Sequence, residues 1–436
     1  MASRPRDKNG PQGLGALRHR GFALYWISRV AAAFAIEMQS TTVGWQVYRL
    51  TADPLDLGLV GLAQFMPFIL LFLVTGLVAD RFSRVRILAV CVTVQAGVAA
   101  AFFYMTYAGE ARFPLILGLL VLFGISRAFH SPIHQSITPN LVPADSLANA
   151  IAWSSTGNQI SRIAGPMLAG VVIAMGEASG LNEMLVYAVV GALLAVALVL
   201  TLLIRLKGQR LSREPVSPTS VVAGVKFIWT RQAVFAAIAL DLFAVLLGNA
   251  TALLPVYAKD ILHVGADGFG LLRASITAGA FVGALFLTQR PIRRAVGIKL
   301  LVSAGIFGAA VTAFGFSTIF WVSLASLFVM GLADVVSVNI RHTMAQIITP
   351  DEMRGRVGAA VGVFVGASNE VGEFRAGVMA HWFGIVPAVA LGGAMTVAVV
   401  VAFAALFPVL RHMTNLDPDL LVRHYRKPHD RRGHPR

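Results

Sequence analysis

Twelve stretches, each long and apolar enough to cross a bilayer, follow one another along this chain. They fall at about 22–48, 57–79, 87–108, 113–137, 146–174, 184–204, 232–258, 269–288, 300–316, 319–345, 355–380 and 385–409. A spanning helix needs roughly 20 mostly apolar residues, because no water in the hydrocarbon can satisfy an open backbone. That rule leaves only helices here. Composition agrees: 57% of the 436 residues are hydrophobic and 13% charged, too little charge to cover a soluble surface of this size. The sequence therefore predicts an all-α integral membrane protein.

The net charge of +15 raises the question of nucleic acid, and its placement answers it. An even number of helices puts both termini on one side. Lys and Arg on that side number 27, against three (Arg49, Arg112 and Lys259) on the other. Such asymmetry orients a membrane protein with its basic loops in the cytoplasm. Both termini are expected there, in a plasma (inner) membrane, and nucleic acid is not expected as a partner. The single cysteine, Cys91, offers no internal disulfide. The first 21 residues are polar and basic with no cleavage site of their own, so the first span is expected to act as an uncleaved anchor.

The most polar interior stretch, KGQRLSREPVSPTS at 207–220, divides the chain near its middle. VVAGVKFIWTRQ after it reads as an amphipathic segment lying at the interface. The two halves match weakly at an offset of 207: FGISRAFH (123–130) meets MGLADVVS (330–337), and Gly124, Pro143, Gly165 and Gly170 meet Gly331, Pro350, Gly372 and Gly377. The expected organisation is a basic tail at 1–21, a six-helix bundle at 22–206, a linker with an interfacial helix at 207–231, a second six-helix bundle at 232–410 and a basic tail at 411–436. Repeats of this kind hold their substrate near the midplane, between the halves.

Charge inside the spans is the strongest pointer to function, because each such residue costs several kcal/mol unless it faces a bundle interior or a wet cavity. Helix one carries Arg29 and Glu37; helix four Arg127, His130 and His134; helix five Arg162. In the second half lie Asp241, Arg273, Asp334, Arg341 and His342, followed by Glu370, Glu373, Arg375 and His381 in helix eleven. Helices three, six, nine and twelve have none, which is the pattern of a polar pathway enclosed by the others. Arg127, His130 and His134 share one helical stripe, as do Asp334 and Arg341. Glu370 and Glu373 stand at i, i+3, and two carboxylates that close resist being charged together, which suits a proton carrier.

One cluster interrupts the hydrocarbon by design. TGLVADRFSRVRIL (75–88) sets Gly76, Asp80, Arg81, Ser83, Arg84 and Arg86 between two apolar runs. The stretch resembles the signature loop between helices two and three of the major facilitator superfamily, with Ser83 in place of the usual glycine. The resemblance covers the whole chain. It implies two pseudo-symmetric six-helix bundles, a role for Asp80 at the N-terminus of helix eleven, and a membrane-embedded arginine at Arg127. Gly165, Pro166 and Gly170 resemble the helix-five motif of antiporters, with Ser161 and Ala169 replacing two glycines. GLVGLAQFMPFILL, ITPNLVPADSLANAIAW and NEVGEF resemble the branch that holds the enterobactin exporter.

These readings converge on a secondary transporter working by alternating access, exporting an amphipathic drug-like or siderophore-like molecule against protons. Uptake of a small anionic metabolite, clamped by Arg29 and Arg127, is the alternative. Glu37 and Asp241, each a lone carboxylate in the first helix of its half, are the expected proton sites, with Glu373 in reserve. Arg29, Arg127, His130, Asp334, Arg341 and Glu370 are expected to line the cavity or gate. Arg127 and Asp334 correspond at the repeat offset with opposite charge, so they are candidates for an inner gate; Arg127 could instead hold substrate or a partner in its own half. No enzyme motif, phosphate loop or metal spacing appears, so no enzyme, cofactor or metal is expected, and the protein is expected to be a monomer.

Overall fold

The computed structural model describes residues 15–204, 225–290, 292, 294–350 and 353–414. Helices alone build the described residues. The long ones are α1 (Arg20–Thr51), α2 (Pro54–Arg81), α3 (Arg84–Tyr107), α4 (Phe113–Ile137), α5 (Ala144–Ser179) and α6 (Met184–Leu202). They continue as α7 (Gln232–Gly248), α8 (Ala266–Gln289), α9 (Val296–Phe316), α10 (Phe320–Ile348), α11 (Arg354–Phe383) and α12 (Ile385–Leu406). Among the described residues, ten candidate spans pass on length and apolarity together. In α4 the described apolar stretch is Phe113–Phe129, and the helix itself runs on to Ile137. α11 falls short because it carries Glu370, Glu373, Arg375 and His381. The tail before residue 15, the linker 207–220 and the tail after residue 414 lie outside the described residues.

Two compact units divide the chain: residues 1–43 with 66–215, and residues 44–65 with 216–436. The end of α1 and the start of α2 therefore belong with the second unit, a division that the amino-acid pattern does not suggest.

In the first unit α3 packs on α4 and α6. Its apolar seam of Leu88, Val92 and Phe102 is buried, as are Val186, Tyr187 and Val190 of α6. Phe102 stacks on Tyr187 at 5.1 Å between ring centroids. A polar crossing of the seam is bridged: Gln95 donates to the Ser126 hydroxyl at 2.8 Å. α5 ends on Gly180, whose φ of 74° is left-handed. There the Leu181 amide reaches back to the Gly176 carbonyl at 2.8 Å, closing a C-terminal turn that a residue with Cβ would strain.

The second unit relies on bare backbone faces. A Cβ on Gly331 of α10 would collide with the Ile276 carbonyl of α8, and one on Gly279 of α8 with the Phe328 carbonyl of α10. Lipid tails are as apolar as leucine, so helices in a bilayer gain chiefly from such close backbone approach. Residues 225–230 form a short helix before α7. Its Ile228 is buried against Val234, Ile238, Val357 and Val361 while Trp229 is 70% exposed, the two-faced character expected of that segment. The 44–65 stretch is seated on this unit by a stack of Trp45 on Phe269 at 5.7 Å. Gly58 meets the Phe374 backbone, and Gly377 the Pro54 carbonyl.

Candidate functional site

In the first unit polar residues of α1 reach α4, α5 and, through Ser28, α6. The Tyr25 hydroxyl and His134 Nδ1 share a hydrogen bond of 2.9 Å, and Arg29 lies within hydrogen-bonding reach of the same hydroxyl. Trp26 donates its indole N–H to the Trp153 carbonyl at 2.8 Å. Further along α1, Glu37 packs against the helix-five motif: a Cβ on Gly165 would lie 2.7 Å from Glu37 Cβ. Pro166 sits inside α5 without breaking it. Glu37 is half-buried. Arg127 is exposed at the surface of its unit, with its guanidinium 5.8 Å from the Phe123 ring. The His130 side chain lies outside the described residues. So do those of Gly76, Asp80 and Arg81 in the loop motif, while Arg84, in the first turn of α3, is buried.

In the second unit Asp241 does not stand alone. The Arg341 guanidinium of α10 donates to Asp241 Oδ2 of α7, and both side chains are almost fully buried, at 5% and 7% exposed. Asp334, seven residues before Arg341 on the same face, is close enough to act electrostatically on Asp241. Sequence spacing could not reveal this, because 100 residues separate the two partners.

A second cluster surrounds a break in the seventh span. The expected single helix over 232–258 stops at Gly248, and Asn249 is extended (φ −70°, ψ 121°). A 3-10 turn then leads into a short helical stretch at Leu254–Val256 and a wide π turn at Tyr257–Ile261. Asn249 organises the gap. Its Nδ2 donates to the Asn369 carbonyl of α11 at 3.2 Å, and its Oδ1 accepts from the Thr251 amide at 3.1 Å. Its own carbonyl accepts from Arg375 Nη2 at 3.4 Å, so the guanidinium caps the C-terminal, negative end of α7. Thr251 Oγ1 lies 2.7 Å from Asn249 Oδ1 and 2.5 Å from Glu373 Oε1. Glu370 and Glu373 converge on α2: a methyl placed on Gly61 would sit 3.1 Å from Glu370 Oε2 and 3.3 Å from Glu373 Oε2.

The sequence singles out both glutamates and misses Asn249, Thr251 and Asn369. The signal was present as Gly248-Asn249 in mid-span, since interrupted helices mark binding sites in transporters. Further along, the 44–65 stretch is fastened at two places. The Tyr48 hydroxyl donates to Asp260, and Asp53 meets His381 Nδ1 at 2.9 Å. Among the described residues no group of three His, Cys, Asp or Glu side chains is placed to hold a metal ion.

Comparison with known proteins follows the same architecture. A family model described as transmembrane secretion effector matches residues 12–429. Macrolide efflux protein A of Streptococcus pyogenes is 21% identical over 407 residues, covering 91% of this chain and 97% of that protein. The enterobactin exporter of Citrobacter koseri is 23% identical over 347 residues, 78% of this chain and 80% of its own length. Among solved structures, a bacterial homolog of the human lysosomal transporter Spinster, inward-facing and unoccupied, superposes with a TM-score of 0.70 at 17% identity. That match covers 90% of this chain and 97% of the other.

Proposed function

The chain belongs to the transmembrane secretion effector family, with the major facilitator fold, and from that premise we propose that it exports an amphipathic small molecule across the plasma membrane by alternating access, driven by protons moving inward. The family and the relatives it holds are membrane transporters, and the chain is a multi-pass membrane protein of that kind. The direction rests on relatives whose names state efflux of a macrolide and export of enterobactin. An amphipathic substrate suits spans that are apolar for most of their length and carry arginines, carboxylates and tryptophans at intervals.

One observation carries the proton coupling. Carboxylates sit inside spanning helices beside groups that their protonation would release. Asp241 holds Arg341, and neutralising it would leave the guanidinium free to turn to another acceptor. Glu37 lies against Gly165 of α5, so a change in its charge acts at the helix-five motif. Glu373 reaches the break in α7. A group that gains or loses a charge in low dielectric shifts the balance between conformations by its differential interactions with each. The excess of basic residues on one side supports cytoplasmic termini, and the chain is proposed to work as a monomer with no cofactor.

Purified protein in proteoliposomes, given an imposed pH gradient, tests the proposal. Erythromycin, a catecholate siderophore and ethidium are the probes. Gradient-driven movement of at least one probe opposite to the proton flow is expected. Flux that is indifferent to the gradient for all three refutes proton-driven export.

A further inference from the structure

We propose that Glu373 is the proton-carrying group of the second unit and that the break in α7 reads its protonation through the chain Glu373–Thr251–Asn249. The proposal rests on the proton-coupled reading above and adds the carrier and the element that senses it. Hydrogen counting carries it. A threonine hydroxyl owns one hydrogen, and Thr251 Oγ1 stands within hydrogen-bond distance of two oxygens, Asn249 Oδ1 at 2.7 Å and Glu373 Oε1 at 2.5 Å. For each of these contacts to be a full two-centre hydrogen bond, one of those oxygens supplies a hydrogen of its own.

Asn249 is not the one. Turning its amide over would face an NH2 group to the Thr251 amide N–H, now 3.1 Å from Oδ1. It would also put an oxygen against the Asn369 carbonyl, which now accepts from Nδ2 at 3.2 Å. Two independent contacts thus fix the orientation. The remaining hydrogen belongs to Glu373. Its carboxylic acid donates to Thr251, Thr251 donates to Asn249, and Asn249 holds α11 through Asn369. The 2.5 Å separation lies at the short end of the O–H···O range.

The surroundings supply a reason for a single proton. Glu370 Oε2 and Glu373 Oε2 both press on the same spot over Gly61, so their separation cannot exceed the sum of those two short distances. Two charged carboxylates there repel one another. Arg375, the nearby cation on α11, is turned to the Asn249 carbonyl and to Met379 Sδ, at 3.4 and 2.9 Å. Among the described contacts, the α7 break contributes Asn249 and Thr251, neither titratable, and α2 contributes Gly61.

When the proton leaves, the Glu373 O–H bond breaks, its electron pair stays on the carboxylate and the proton passes to water. The Thr251 hydroxyl then turns to the new anion and abandons Asn249 Oδ1. The asparagine that holds α7 open keeps one donor instead of two, and the 44–65 stretch meets a second negative charge. Protonation thus favours the arrangement seen here, and deprotonation loosens it. Thr251 and Asn249 are positioning residues, acting through Glu373.

Infrared spectroscopy of the purified, lipid-embedded protein at neutral pH, run beside transport, tests this. The protonated-carboxyl band of the wild type is expected to lose a component in Glu373→Gln and to keep it in Glu370→Gln. Thr251→Val, equal in shape but without the hydroxyl, is expected to shift that component in frequency. In proteoliposomes the side-chain amide introduced by Glu373→Gln can donate to Thr251 as the acid does. Unlike the acid it has no proton to release, so this variant should lose the pH-gradient-driven transport of whichever probe the wild type moves. A band unchanged by Glu373→Gln, or lost instead in Glu370→Gln, overturns the proposal. Absence of gradient-driven flux in the wild type refutes proton-coupled export, and the infrared result still decides where the proton resides.

Discussion

Removing one member of the Asp241–Arg341 pair should damage the second unit more than removing both. The two side chains are 7% and 5% exposed and belong to different helices. Deleting one partner of a buried pair strands the other charge, at about 3–5 kcal/mol, whereas replacing both with apolar residues of similar volume is often neutral or stabilising by about 1–4 kcal/mol. Asp334 decides which single change is worse. Arg341→Met leaves Asp241 without its guanidinium and still within the field of Asp334. Asp241→Leu leaves Arg341 with Asp334 still on its own helix face. Arg341→Met should therefore reach the upper end of that range and Asp241→Leu the lower.

For a unit of about 200 residues, each kcal/mol moves the melting temperature by roughly 2–4 °C, so losses of about 6–20 °C are expected for the single variants. A thiol-reactive dye that fluoresces when a buried cysteine is exposed reads this out. Cys91 is buried in the first unit, so the reporter for the second is Ser303→Cys, at a side chain 4% exposed in α9, on a Cys91→Ala background. The double variant Asp241→Leu/Arg341→Met should melt within a few degrees of the parent, a coupling energy well above the roughly 0.5 kcal/mol at which independent sites scatter. If the double variant melts as low as the worse single one, the pair does not bear on the fold as argued. The Asp241 carboxylate would then have to be stabilised by something other than Arg341.

Glycine at the α8–α10 crossing should be irreplaceable: Gly331→Ala is expected to cost about 1–3 kcal/mol or more by overpacking. Gly305→Ala on α9, which meets nothing within 4 Å, should be neutral or stabilising by up to about 1 kcal/mol; equal melting of the two variants would contradict the close approach. The Asp53–His381 contact is ionic only while the imidazole is protonated, and its side chains are 33% and 45% exposed. Asp53→Ala should therefore raise hydrogen exchange at residues 50–56 by no more than about fivefold, in line with a partly exposed pair. The ionic part of that effect should fade in concentrated salt, while the part due to the Leu55 amide, which Asp53 Oδ1 also accepts, should persist; an effect wholly indifferent to salt would mean that the charge is irrelevant. Ser212→Cys in the basic linker, on the Cys91→Ala background, should resist an impermeant maleimide in intact cells; ready labelling would place the linker, and with it both termini, outside.

How far the fold and the candidate site were legible follows from what a bilayer forbids. Hydrocarbon excludes an open backbone, so the spans could be drawn from apolar runs alone. It also penalises charge, so Glu370, Glu373, Asp241 and Arg341 announced themselves as residues with a task. Their partners did not. Asp241 looks solitary along α7, because the cation that neutralises it arrives from α10, and no helical period reaches across 100 residues. The break in α7 escapes a search by average apolarity for a related reason: GNATALLPVYA stays apolar on average, and the one asparagine that marks the break does not depress a twenty-residue window. What opens the helix there is tertiary. The Asn369 carbonyl, the Arg375 guanidinium and the Thr251 amide together satisfy Asn249 where a continuous helix would have done so. Uncharged polar residues inside a span thus escape a search for charge, although in hydrocarbon they are bound by the same need for a partner. Thr251 touches Glu373 directly and Asn249 through it, and by that contact a charge visible in the sequence acquires the invisible element that it can move.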